Sequence, residues 1–177
     1  CQCRRQRQMC IRDRAMTAPE ALELRRLERL LFQAWCIWLC SPRLSPRQQV
    51  LAREQFQDIA RRFERELNRE EGPWLRGPEP QTVDLIFVPY VERMNASLAY
   101  YKGYRLRAEH PAIDRWFRAL EQLETYRGTQ SDFHTHAHDL PPQMGGCWPD
   151  DGAEAKRLAE RIDRGDGLGD DEACWDG

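Results

Sequence analysis

Apolar residues recur at three- and four-residue spacing between Pro19 and Cys40, where Leu24, Leu27, Leu31, Ala34, Trp35 and Trp38 are separated by Arg and Glu. That period predicts an amphipathic helix, with Pro19 suited to its first turn and Thr17 as a candidate cap. The prolines of SPRLSP, residues 41–46, stop it. Ser45 and Pro46 then open a second helix, whose expected inward stripe is Val50, Leu51, Phe56, Ile59, Ala60, Phe63 and Leu67. After the loop GPWLRGPEP, residues 72–80, the pattern changes. Nearly every position from Val83 to Met94 is apolar, which predicts a helix buried on all sides. Asp84 lies in its first turn, facing unpaired N–H groups and the positive end of the helix dipole, and Pro89 predicts a kink. A Tyr-rich linker (Tyr100, Tyr101, Tyr104) leads to a helix from His110-Pro111 with Ile113, Trp116, Phe117, Leu120 and Leu123 on its buried face.

Beyond Tyr126 the apolar period is lost. Residues 128–150 read as an extended His/Pro/Gly tail, and residues 151–177 as a short amphipathic helix over Ala153–Ile162 with an acidic, disordered end. Residues 1–16 are an aperiodic, Arg-rich leader, read as non-native or disordered. The helical domain is therefore placed at 17–127. No strand and no internal repeat is predicted, so the fold class is all-α.

Charge narrows the functional classes. A formal net charge of −2, with 32% charged residues, gives no global field for nucleic acid or an anionic membrane. Arg and Glu alternate along the second helix, the pattern of a solvated face. The longest apolar run, near Leu30 to Cys40, is far short of the ~20 residues a membrane span needs. Seven cysteines, an odd number without a CxxC pair, fit a soluble protein in a reducing compartment, cytoplasmic or plastid.

Three pieces carry a family resemblance: GPWLRG at Gly72–Gly77, TVDLIFVPYVERM at Thr82–Met94, and HPAIDRWFRALE at His110–Glu121. In this order and spacing they resemble the later helices of a glutathione S-transferase C-terminal domain, most closely in the omega and lambda groups. The resemblance implies a helical bundle around a central, buried, Pro-kinked helix. It also implies that glutathione and the catalytic residue belong to a thioredoxin-like N-terminal domain that this chain lacks, and that the full-length protein forms a homodimer. Where the family usually has Ser or Thr as the cap of the central helix, this sequence has Gln81. Thr82 one residue later, or the preceding loop, is then expected to do the capping, with Asp84 as the structural carboxylate of the first turn.

Catalytic residues and bound cofactors are not expected in this half; glutathione is implied for the full-length protein only. The resemblance makes the first helix a wall of the second-substrate pocket, which nominates Trp35 and Trp38, although a Trp stripe at helical spacing reads first as core. Tyr100 and Tyr101 are the other pocket candidates, against a packing role for their amphipathic rings. Cys36 and Cys40, four apart, read as small buried hydrophobes. For His134, His136 and His138 the favoured reading is a surface extension anchored by Leu140, Pro142 and Met144. The alternative is a metal site, since alternating imidazoles on an extended strand project from one face. The function expected is the second-substrate half of a glutathione-dependent thiol-transfer or conjugating enzyme. The alternative is a non-catalytic binding or assembly module whose C-terminal tail grips a protein partner.

Overall fold

The computed structural model describes residues 19–166 and Leu168, so the leader, the Thr17 cap and nearly all of the acidic end lie outside the described residues. Pro19–Cys40 (α1) and Pro46–Leu67 (α2) pack side by side. Ser45 caps α2 as the restart implied: its Oγ accepts from Gln48 N, and Gln48 Oε1 accepts from Ser45 N at 2.9 Å. The inward stripe of α2 is Ala52, Phe56, Ile59, Ala60, Phe63 and Leu67. Val50 and Leu51, expected on that stripe, are instead 55% and 54% exposed. They miss it because the three-and-four register that seats Ala52 and Phe56 turns the preceding residues outward.

Thr82–Lys102 (α3) is the axis of the molecule and touches α1, the short Leu106–Glu109 helix (α4), Phe133–Met144 (α7) and Ala153–Asp163 (α8). It runs eight residues past Met94, so Tyr100 and Tyr101 are helical rather than in a linker. Its most enclosed part is also not the expected one. Met94, Asn95, Ala96, Ser97, Leu98 and Ala99 are all buried, whereas Leu85 in the first half is 57% exposed. Small side chains at Ala96, Ser97 and Ala99 let neighbouring helices approach from every direction. Pro89 sits inside α3 without ending it. The carbonyl it leaves without a helical donor is that of Leu85, and both residues lie on the exposed side of α3.

Gly103 closes α3 in the left-handed conformation, φ 62°. Pro111–Leu120 (α5) then packs on α2 and α4, and Glu124–Arg127 (α6) follows. Glu64 of α2 reaches the start of α5: Oε1 accepts from Ala112 N at 3.1 Å and Oε2 lies 2.7 Å from His110 Nδ1. A carboxylate only accepts here, so Nδ1 carries the proton, and Nε2 lies within hydrogen-bond distance of the Tyr104 hydroxyl at 2.8 Å.

The expected extended tail is mostly α7, capped by Asp132, whose carboxylate accepts from Thr135 N at 2.7 Å. The segment that follows is irregular and serves two helix ends. Trp148 N donates to Leu39 O in the last turn of α1 at 3.0 Å, and Asp150 N donates to Tyr101 O in the last turn of α3 at 2.7 Å. Lys102, its side chain fully enclosed, pairs with Asp150 at 3.0 Å. The amphipathic helix expected over Ala153–Ile162 is present as α8, with Ala155, Leu158 and Ile162 inward. Among the described residues there is no strand, and no helix is long and apolar enough to cross a membrane.

Candidate functional site

Asp84 is fully buried and collects three N–H donors. Its Oδ1 accepts from Leu75 N at 2.9 Å and from Trp116 Nε1 at 3.3 Å, and its Oδ2 accepts from Gln81 N at 3.0 Å. One carboxylate thus joins the inserted loop, the start of α3 and the middle of α5. Burial pushes its pKa up, and the Leu75, Gln81 and Trp116 donors pull against that rise. Both of its oxygens are committed to main-chain or indole donors. Thr82 does not cap α3: Gln81 occupies the cap position in extended conformation, and Asp84 satisfies it from inside the helix.

The four nominated pocket residues fall into two separate places. Trp35 and Trp38 are 1% and 2% exposed and belong to the main core. Trp35 Nε1 donates to Ser97 Oγ at 3.1 Å, and Trp38 packs on Phe56 and Tyr104. Tyr101 is buried against α7, while Tyr100 reaches α8, where its hydroxyl donates to Asp163 Oδ2 at 3.2 Å.

Open space next to α1 is lined by other residues. A cleft of about 430 Å³ between α1 and the start of α3 is bordered by Arg25, Glu28, Arg29, Ile86 and Tyr90. The Arg29 guanidinium stands 4.9 Å from the Phe32 ring centre and 4.7 Å from that of Tyr90, and the two rings meet edge-on at 5.2 Å. Arg29 is also paired with Glu28, whose side chain is 4% exposed, and this partner raises the already high Arg29 pKa. The result is a half-exposed cation over an aromatic wall, with exposed Leu22 and Leu30 beside Arg25 and Arg29 on the same helix. Such a surface favours a flat, apolar or anionic molecule. In sequence Arg29 is one of the Arg and Glu residues between the apolar positions of α1; only the approach of α1 to α3 sets Tyr90 against it.

The cysteines also draw together. Cys36, Cys40 and Cys147 are half-buried and pack on the main core. Burial pushes the Cys36 thiol up to about 11. The Cys147 thiol beside Cys40 holds Cys40 below the ordinary thiol value and is itself held above it.

The His run is not on one face, because it is helical rather than extended. His134 and His138, four apart, stack with ring centres at 4.3 Å. His136 turns inward to within 4.0 Å of Glu92, and burial lowers its pKa. The proposed anchors divide as well: Leu140 is buried, Met144 partly so, and Pro142 is exposed. Among the described residues one group has metal-ligand geometry, His134 and His138 with Asp163.

No family model matches the chain, and no curated protein matches it. Among solved structures it is similar to a trimeric glutathione transferase from Leishmania, with 19% identity and a TM-score of 0.58 over 80% of this chain. The match spans 31% of that protein's length. The described residues thus have the all-helical fold of a glutathione-transferase helical domain.

Proposed function

We propose that this chain is the C-terminal, second-substrate half of a glutathione transferase-like protein, whose full-length form carries out glutathione-dependent thiol transfer or conjugation. The observation that carries the reading is the Arg29–Phe32–Tyr90 cleft: it lies between the first helix and the central helix of a fold similar to that of a glutathione transferase. Glutathione and the catalytic thiol are assigned to a thioredoxin-like domain, packed over the cleft side of α1 and α3. The cleft then orients the second substrate by its aromatic wall and neutralises a developing or resident negative charge through Arg29.

The test is an assay of the product of the complete transcript with glutathione and a series of aromatic and anionic second substrates. Arg29→Ala and Tyr90→Ala should raise KM for the second substrate about threefold, the size of an exposed cation–π contact, and leave KM for glutathione unchanged. A complete product without glutathione-dependent turnover would instead support the non-catalytic module. Equal shifts for both substrates would remove the cleft from the reading.

A further inference from the structure

We propose that His134, His138 and Asp163 form a binding site for a divalent transition-metal ion of the zinc class, clamping α7 to α8. Each residue offers one ligand atom, and the three atoms lie within 4.8 Å of one another. Two histidines at i and i+4 on one helix present both imidazoles to the same side. A carboxylate from a second helix closes the third corner, with Asp163 Oδ1 2.9 Å from His138 Nε2. Ligands around tetrahedral zinc stand about 3.3 Å apart, given bonds of about 2.0–2.1 Å, so small rotations of exposed side chains bring the set to that spacing.

The surroundings hold the donors in place. The Tyr100 hydroxyl donates to Asp163 Oδ2 at 3.2 Å, leaving Oδ1 aimed at the histidines. The Tyr100 ring also meets the His138 ring edge-on with centres 5.2 Å apart. A carboxylate ligand whose other oxygen is hydrogen-bonded is the usual outer-shell arrangement of a metal site. Two imidazoles and a carboxylate suit zinc and its neighbours in the transition series rather than magnesium or calcium. All three residues are exposed, so the remaining coordination position is open to water.

The experiment is a calorimetric titration of the full chain with Zn²⁺, alongside the absorption spectrum of the Co²⁺-loaded protein. One equivalent should bind. His134→Ala, His138→Ala and Asp163→Asn should each weaken binding about tenfold or more, and Tyr100→Phe by a smaller factor. Asp139→Asn, a neighbouring exposed acid outside the group, should bind as the parent does. The cobalt spectrum should show no thiolate charge-transfer band, which separates this site from the cysteines. Failure of the parent protein to bind zinc, full binding by a His134→Ala/His138→Ala double variant, or an intense thiolate band would each overturn the proposal.

Discussion

The Tyr101 hydroxyl donates to the backbone carbonyl of Ala137 at 3.1 Å, and that carbonyl is the one Pro141 deprives of its helical donor. Ala137 is fully buried, so water cannot take the place of the missing N–H. The neighbouring case runs the other way. Pro142 strips the carbonyl of His138, but both residues are exposed. A tyrosine of the central helix thus lets α7 carry two consecutive prolines.

Tyr101→Phe should therefore destabilise the protein by about 1–3 kcal/mol, the cost of a buried acceptor left unpaired. Pro141→Ala restores a backbone N–H to the same carbonyl. In the double variant the loss from Tyr101→Phe should largely disappear. A double-mutant cycle in urea measures this coupling, and simple additivity would show that the hydroxyl serves another purpose.

The same contact explains what was readable in the sequence and what was not. The stripes of α1 and of α5 are periodic and dense in large apolar residues, so local pattern was enough to place them. The helix over residues 133–144 has a His/Thr/Pro composition and only two buried residues, Ala137 and Leu140. Its support comes from Tyr101, 36 positions earlier, and from the Asp132 cap. The cap was visible in principle, an Asp ahead of Phe133, but the prolines argued louder for an extended chain. The Arg29 cleft was hidden for a related reason: Phe32 and Tyr90 are distant in sequence and meet only when α1 lies against α3. Trp35 and Trp38 are pocket candidates only through the resemblance; their spacing alone describes core.

Asp132 gives a pH-dependent prediction. Its carboxyl is held below the ordinary value chiefly by the Thr135 N–H, with the Thr135 hydroxyl adding to it. A lowered folded-state pKa contributes stability that is present above the unfolded value, about 3.9, and lost as pH falls through the folded one. Asp132→Asn keeps a capping acceptor without the titration, so its stability should change less between about pH 5 and pH 2 than that of the parent. Asp132→Ala should cost about 1 kcal/mol at neutral pH. Helicity and denaturant midpoints across that range provide the check.

Arg107 is a heavily committed cation of the helical body. Its side chain is 6% exposed; Nε donates to Asp114 Oδ1 at 2.7 Å and Nη1 to Glu121 Oε1 at 2.5 Å, while the guanidinium lies 5.0 Å from the Phe117 ring centre. Arg107→Met preserves much of the packing volume but strands the partly enclosed Glu121, while Asp114 keeps its bond to Arg118. The loss should reach about 3 kcal/mol, the lower end for breaking a buried pair. Adding Glu121→Gln should recover part of it, because the uncompensated charge is then gone. An unchanged thermal midpoint in Arg107→Met would show that solvent already screens this cluster.

Gly103 decides how closely α8 docks. Its φ of 62° is costly for any residue with a Cβ, and a Cβ built there would stand 2.7 Å from Ala155 N and 3.1 Å from Ala155 Cα. Those are backbone atoms in the first turn of α8, so the strain cannot be relieved by turning a side chain. Gly103→Ala should cost more than the about 1 kcal/mol of the conformational term alone, because α8 has to move away as well. Displacing α8 loosens Leu158 and Ile162 from Ala99, and it carries Asp163 away from Tyr100 and His138. Hydrogen exchange should then accelerate in α8 and leave α1 and α2, which pack chiefly on each other, on α3 and on α5, at their parent rates. Uniform acceleration across all helices would mean that α8 unfolds only with the whole domain.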